Sequence, residues 1–446
     1  MDKNITPRFL TGSMLRHVLV MTGTGAIGLM AIFLGDFVNL LFLGMLGDTE
    51  ILAAVGYAST ILFFAVSLGI GLAIGASAVV SPAIGAGDRV RARQLATSAH
   101  VLAFVISVCV CVVLWFLLPM LLAALGAGGR THQLALLYLR ISLPSMPFLA
   151  LGMCSGAVLR SVGDAQRAMY TTLAGAIINV VLDPILIFWM KLDLVGAALA
   201  SVAARLGVAV VGVASIIVRH QLMERPRFRQ TFRDARPILA VAVPAVLTNL
   251  ATPTANALTT GMMARYGDAA VAAWTIFGRI NPVAFGAVFA LSGAIGPIVG
   301  QNLGARQYGR VREAIGAAIK ATIGFTMLAW LILALLAPSI VAVFSATGEV
   351  RDLVLYYCRW LPPLFAFLGA LFVANAIFNT LRHPHYATLF NWGRATVGTV
   401  PFVWLGGHIA GASGVMTGSL VGAVFFGLGA LWMCYRVVAK LENSLL

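Results

Sequence analysis

Long apolar stretches alternate with short polar stretches along almost the whole chain. Each apolar stretch is continuous and lacks the alternation of polar and apolar positions that barrel strands show. A helix needs about 20 such residues to cross a bilayer. The pattern therefore predicts twelve membrane-spanning helices, at residues 15–45, 51–82, 94–118, 132–158, 166–190, 195–218, 237–264, 270–302, 314–337, 352–380, 386–406 and 412–436.

An internal repeat divides the twelve predicted helices into two sets of six. Residues 117–168 match the residues 219 positions later without a gap, at Tyr138/Tyr357, Arg140/Arg359, Pro144/Pro363 and Phe148/Phe367. Because six is even, both halves enter the membrane from the same face, and the repeat is parallel. We expect two lobes, at 1–218 and 237–446, that enclose a central cavity and are joined by a cytoplasmic linker at 219–236.

Composition excludes a soluble globule. The chain is 60% hydrophobic and only 10% charged, and its mean hydropathy is +0.96. Soluble domains contain about 25% charged residues, which they need to cover their surface. The predicted fold class is therefore an all-α polytopic membrane protein.

The net charge of +15 changes the picture only when the positions of the cations are considered. In a soluble protein such a charge would indicate nucleic acid. Here twenty cations lie in the predicted cytoplasmic segments and four in the external loops, which is the bias that orients membrane proteins. We expect an inner-membrane protein with both termini cytoplasmic, a basic linker beside anionic lipid, and no nucleic-acid partner.

Familiar signatures of catalysis and cofactor binding are absent from the sequence. The five cysteines lie in apolar stretches without a CxxC pair, so we interpret them as packing residues. No P-loop, HExxH or GxSxG pattern occurs. We expect a monomer that is not an enzyme, carries no cofactor and is not driven directly by ATP.

Two acidic residues lie well inside apolar stretches, where an ionisable group is costly and usually functional. Asp36 and Asp183 are 12 and 8 residues from the nearest external charge, which corresponds to depths of about 18 and 12 Å. Asn179 shares a helix face with Asp183, and Ser201 lies at a matching depth in the next helix. The sequence therefore predicts a cluster of oxygen ligands in the outer half of the first lobe.

Such a cluster suits cation capture. Neighbouring carboxylates in a medium of low dielectric repel each other, which favours binding of a proton. Asp36, Asn179 and Asp183 could instead hold Na⁺, and the residues alone leave both ions open; we predict no other metal site. A purely structural network is the alternative, and a salt bridge from Arg205, four residues after Ser201, would prevent proton exchange.

The second half lacks these acids, although it keeps the scaffold. Its residues at the equivalent positions are Asn256, Gly398 and Phe402. A network that every lobe needed would be present twice, so its single occurrence favours a specialised function. We predict that polar and adaptable residues of the second half line the substrate cavity, namely Asn249, Asn256, Met262, Asn281, Asn375 and Asn379.

Several motifs resemble those of multidrug and toxic compound extrusion (MATE) transporters, over essentially the whole chain. The most specific is Asn-x-x-x-Asp-Pro at 179–184, and others lie at 42–47, 85–88, 196–201 and 300–305. The resemblance implies twelve helices in two lobes and export of organic compounds driven by H⁺ or Na⁺. It also implies that the cation site consists of Asp36, Asn179, Asp183 and Ser201.

The chain departs from the family pattern in two ways. Ser201 stands where the family often has threonine, and the acids that some members use in helices seven and ten are missing. The sequence is therefore more similar to the DinF-type branch, which favours H⁺ over Na⁺. Our hypothesis is H⁺-coupled antiport of cationic or amphipathic compounds by alternating access. The alternative is a related flippase for lipid-linked oligosaccharides or lipids, which would need a strongly cationic cavity.

Overall fold

The structure, a computed structural model, describes residues 7–443. These residues are helical almost throughout and contain no strand; both predicted cytoplasmic termini lie outside them. The α-helices are α1 (Met14–Met45), α2 (Thr49–Gly85), α3 (Arg89–Ala124), α4 (Gly129–Ser142), α5 (Met146–Ser161), α6 (Ala165–Pro184), α7 (Asp193–Ala214), α8 (Phe228–Met263), α9 (Asp268–Ala284), α10 (Gly286–Gly304), α11 (Tyr308–Val343), α12 (Gly348–Trp360), α13 (Phe365–Thr380), α14 (Pro384–Ala395) and α15 (Val400–Asn443).

Eleven helical stretches in residues 7–443 are long and apolar enough to cross a membrane. The last of them, Pro384–Asn443, has 60 residues and contains a break at Ala410 and Gly411. Gly411 has a φ of 61°, in the left-handed region that glycine tolerates. This stretch therefore contains the last two predicted spans, and the prediction of an all-α polytopic membrane protein is confirmed.

Three predicted spans each consist of two helices in succession. A short 3₁₀ turn separates α4 from α5 at Leu143–Ser145, and another separates α12 from α13 at Pro362–Leu364. Pro144 and Pro363 lie in these turns, and proline cannot donate the backbone hydrogen bond that a continuous helix needs. The two turns are 219 residues apart, so the repeat extends to the helix breaks. The third interruption, between α9 and α10, falls at Phe285.

Helical structure extends into both ends of the predicted linker at 219–236, whose role as a cytoplasmic linker stays a prediction. Only the residues between His220 and Phe228 are irregular, because α8 already begins at Phe228. The first turns of α8 are held by Asp234, which accepts a hydrogen bond at 2.6 Å from Arg91 of α3. The run of arginines indicated a linker beside anionic lipid but not this buried partner.

Contacts group the described residues into two units. Unit 1 contains Pro7 and 27–246, and unit 2 contains 8–26 and 247–443. In unit 1, α2 packs against α5, and α6 packs against α7. In unit 2, α13 packs against α15 and α10. The lobe boundaries predicted from the sequence stay a prediction.

An ionic cluster fastens the helix ends of unit 1 on the predicted cytoplasmic side. Asp164, between α5 and α6, accepts hydrogen bonds from Arg167 at 2.5 Å and from His220 at 2.9 Å. Burial by itself would raise the pKa of Asp164, but the hydrogen bonds from His220 and Arg167 outweigh burial and hold that pKa well below its usual value. Asp164 is therefore ionised at neutral pH.

The last membrane stretch of unit 2 folds into a hairpin whose two arms meet through glycines. A β-carbon at Gly422 would overlap the carbonyl oxygen of Gly398, and one at Gly414 would overlap that of Gly406. The arms can approach this closely only because these positions carry no side chain.

Candidate cation site in unit 1

Asp183 lies at the end of α6 and is completely buried, with a relative exposure of 0%. Pro184 follows it, and the chain then continues as a wider π-helical turn at Ile185–Trp189. π-helical turns are rare in proteins overall, and many of those that occur lie at functional sites. The helix therefore changes its hydrogen-bond pattern directly after the buried acid.

Two asparagine amides hold the carboxylate of Asp183. Asn39 Nδ2 donates to Oδ1 at 3.0 Å and to Oδ2 at 2.9 Å, and Asn179 Nδ2 donates to Oδ2 at 3.0 Å. The sequence predicted Asn179 but missed Asn39. The signal was present, because Asn39 lies one helical turn after Asp36 and is itself a polar residue inside an apolar stretch.

One face of α1 packs along α6 and brings Asn39 to the acid. The residues of α1 on this face are Gly28, Gly35, Asn39 and Phe42. They meet, in the same order, Thr172, Ala176, Asp183 and Phe188. The two glycines have no side chains and so allow a close approach, while the two ring centroids at the far end are 5.7 Å apart. The contacts advance together along both chains, so the two helices run parallel.

Asp36 differs from Asp183 in its surroundings. It is exposed and, within residues 7–443, forms no hydrogen bond or ion pair. Arg205 is within electrostatic range of Asp36. Its guanidinium donates instead to the carbonyl oxygen of Ser142 and to the hydroxyl of Ser145, both at 2.8 Å. The salt bridge that would have blocked the site is therefore not formed.

Ser201 lies on α7 at the level of Asp183. Gly196 and Gly207 lie on either side of Ser201. Gly196 packs against the turn that follows α6, Gly207 packs against α6 itself, and Asp183 lies between these two contacts in the sequence. Ser201 is half-buried and donates no hydrogen bond to Asp183 in the described part of the chain. The structure thus brings Asn179, Asp183 and Ser201 to one region. Of these, only Asn179 forms a hydrogen bond with Asp183.

The chemistry of this site is that of one enclosed carboxylate and one accessible carboxylate. Between residues 7 and 443, no three His, Cys, Asp or Glu residues are grouped to hold a metal ion. Asn39 and Asn179 present N–H groups to Asp183, and N–H groups repel cations. The arrangement can stabilise an ionised carboxylate and can release that stabilisation when the carboxylate takes up a proton.

Two of the cavity residues predicted in the second half already have partners inside unit 2. Asn281 accepts a hydrogen bond from the hydroxyl of Tyr357 at 2.6 Å. Asn375 accepts one from the amide of Asn391 at 2.8 Å. Their role as substrate contacts stays a prediction, and each has a structural role of its own.

The other four predicted cavity residues differ in exposure. Asn256 is exposed, and Met262 is half-buried against the apolar core of unit 2. Asn379 is 4% exposed, and its Oδ1 atom has no partner in the described residues. The buried Nδ2 atom of Asn249 likewise has none. Polar atoms in this condition are costly unless a ligand or water satisfies them.

Comparison with known proteins gives a consistent result. A family model described as MatE matches two stretches of the chain, 26–185 and 244–405. The two stretches lie about one repeat length apart, in agreement with the internal duplication.

Individual relatives cover nearly the whole chain. A protein named FAD transporter from Shewanella oneidensis is 29% identical over 436 residues, which cover 96% of each chain. Multidrug export protein MepA of Staphylococcus saprophyticus is 22% identical over 90% of this chain and 89% of its own. The crystal structure of the Vibrio cholerae MATE transporter VcmN in the bent form is 27% identical, has a TM-score of 0.89 and covers 96% of this chain and 98% of its own.

Proposed function

Because the chain belongs to the MATE family of membrane transporters, we propose that it is a secondary active exporter that exchanges external H⁺ for internal organic compounds by alternating access. Its family makes it a transporter and not an enzyme. The coupling ion and the class of compound are the parts that we infer. The contact between Asn39 and Asp183 carries the inference.

The contact between Asn39 and Asp183 links protonation to helix packing. While Asp183 is ionised, both of its oxygens accept hydrogen bonds from Asn39 of α1. A proton on Asp183 removes its negative charge and turns one oxygen into a donor that is a weaker acceptor for an N–H group. Proton uptake therefore weakens the bonds that hold α1 against α6. In unit 1 this couples a change of charge to a change of packing.

Asp36 is suited to receive the proton first. It is exposed and lies one turn from Asn39, so it is accessible while Asp183 is enclosed. Arg205 is engaged by Ser142 and Ser145 and leaves Asp36 free to exchange. The amide N–H groups directed at Asp183 compete with Na⁺, which requires oxygen ligands. These observations support H⁺ over Na⁺.

We propose cationic or amphipathic organic compounds as substrates, in line with the relatives named multidrug export protein. A second candidate is export of FAD or a similar dinucleotide. It is favoured by the relative named FAD transporter, which matches 96% of the chain. Flipping of lipid-linked oligosaccharides is the remaining alternative, and it would need a strongly cationic cavity. We further propose a monomer in the inner membrane with both termini cytoplasmic.

The experiment is transport into proteoliposomes of an organic cation, tetraphenylphosphonium, and of FAD. We expect accumulation under an imposed pH gradient and none under a Na⁺ gradient alone. The variant Asp36→Asn should abolish gradient-driven transport while still reaching the membrane. Transport driven by Na⁺ alone, or unchanged transport by Asp36→Asn, would overturn the proposed coupling.

A further inference from the structure

Arg394 is a buried cation in unit 2 that has no counter-ion among the described residues. It lies at the end of α14, and only 6% of it is exposed. Its Nη2 atom makes one long contact, at 3.5 Å, to the hydroxyl of Thr252, and its buried Nε atom has no partner in residues 7–443. The acidic residues of unit 2 lie near helix ends and form no ion pair with it: Asp268, Glu313, Glu349, Asp352 and Glu442.

Burying an arginine without a partner costs free energy, so a bound group of opposite charge is expected to stabilise it. The scaffold itself does not require it, because the equivalent residue of the first half is Gly175. The buried acid inside a membrane span, Asp183, thus lies in unit 1, and the buried cation Arg394 lies in unit 2. By the same reasoning that singled out Asp36 and Asp183, Arg394 has a specialised role.

The groups around Arg394 are mainly hydrogen-bond donors. Thr252 lies one turn after Asn249 on α8, and Asn249 has a buried Nδ2 atom without a partner in the described residues. The nearby amide of Asn391 is already engaged with Asn375. A guanidinium, a free amide N–H and a hydroxyl together match the oxygens of a phosphate group.

The guanidinium also lies close to an accessible surface. Thr252, which contacts it, is exposed, so a solute that touches α8 at this point comes within reach of Arg394. A lipid headgroup is at a disadvantage here. Arg394 is 12 residues beyond Arg382 at the predicted cytoplasmic boundary, which is about 18 Å along a helix.

We propose that Arg394, together with Thr252 and Asn249, binds the phosphate group of a transported solute. The site therefore selects phosphorylated organic compounds, such as flavin nucleotides, over their unphosphorylated forms. This inference rests on the proposed export function and specifies its second candidate.

The test compares flavins that differ only in phosphate. Equilibrium binding of riboflavin, FMN and FAD is measured by flavin fluorescence, with the purified full chain in phosphatidylcholine nanodiscs and without any gradient. Arg394→Gln should weaken binding of FMN and FAD by about tenfold or more, because a charge-assisted hydrogen bond is lost, and should leave riboflavin binding unchanged. Arg394→Lys keeps the positive charge and should weaken binding of FMN and FAD less than Arg394→Gln does. Arg382→Gln, which removes an exposed cation ahead of the same helix, should bind all three like the wild type.

The other outcomes would overturn the proposal. They are unchanged FMN binding in Arg394→Gln, an equal loss for riboflavin, which would indicate a structural role, and no preference of the wild type for FMN over riboflavin. A repeat in nanodiscs that contain phosphatidylglycerol identifies the source of the phosphate. If this lipid abolishes the effect of Arg394→Gln, the headgroup is the occupant and the solute assignment fails. Binding requires no gradient, so a failure of H⁺-driven transport would refute the export mechanism without affecting this result.

Discussion

Replacing Asn39 with leucine should impair coupling more than the same replacement of Asn179. Asn39 supplies hydrogen bonds to both oxygens of Asp183, whereas Asn179 supplies one bond to Oδ2 only. Without Asn39, Oδ1 has no partner and Oδ2 keeps one. Without Asn179, each oxygen still has one. Leucine has a similar volume, so the packing of α1 on α6 is changed little.

The expected size of the effect follows from these bonds. A hydrogen bond to a charged group contributes about 1.5–3 kcal/mol. If the ionised form of Asp183 is required in one step of the cycle, loss of such a bond raises the free-energy barrier of that step by the same amount. Since about 1.4 kcal/mol corresponds to a factor of ten, loss of the single bond in Asn179→Leu should slow pH-driven transport about 10- to 100-fold. Asn39→Leu loses two bonds and should slow it by a larger factor.

The assay is tetraphenylphosphonium transport in proteoliposomes at a fixed pH gradient, with equal amounts of reconstituted protein. Substrate binding at zero gradient serves as the control and should be unchanged in both variants. Wild-type rates for Asn39→Leu, or a more severe defect for Asn179→Leu, would refute the role assigned to the contact between Asn39 and Asp183.

Two further predictions concern stability. Gly422→Ala should destabilise the protein by about 2 kcal/mol, because the new methyl group meets the backbone of Gly398. The control Gly324→Ala, at an open position on α11, should be neutral or slightly stabilising. Equal thermal unfolding midpoints of the two variants in detergent would contradict this prediction. Asp164→Asn should lower the free energy of unfolding by about 1–3 kcal/mol at neutral pH, because His220 and Arg167 stabilise the ionised form of Asp164. The pKa of Asp164 is held below its unfolded value of about 4, so the difference between variant and wild type should persist above that pH and shrink as the pH falls further. A difference that grows in acid would contradict the assignment.

Much of the fold could be predicted because bilayer insertion imposes a strong pattern. Apolar length located the spans, and the matched prolines of the repeat, Pro144 and Pro363, mark the two equivalent helix breaks. The start of α8 could not be predicted, because it depends on a distant partner. Arg91 lies 143 residues before Asp234 in the chain, and no local pattern announces their contact.

The candidate site could be predicted only in part, for a similar reason. Depth and spacing singled out Asp36, Asp183 and Asn179, since charge is rare in an apolar helix. Asn39 is neutral and lies 144 residues from its partner, so its importance emerges only when α1 is packed on α6. Arg394 lies inside the predicted span 386–406, so a signal for it was present in the sequence, but only the structure shows that it is buried without an ion pair.

The glycine hairpin has a consequence for biosynthesis. Its arms touch backbone to backbone and are joined by a two-residue turn at Ala410 and Gly411. Such arms can associate as soon as both have been synthesised, because their contact needs no other part of the chain. We expect the final two spans to enter the bilayer together as one insertion unit. The first arm would then complete its insertion only after the second has left the ribosome.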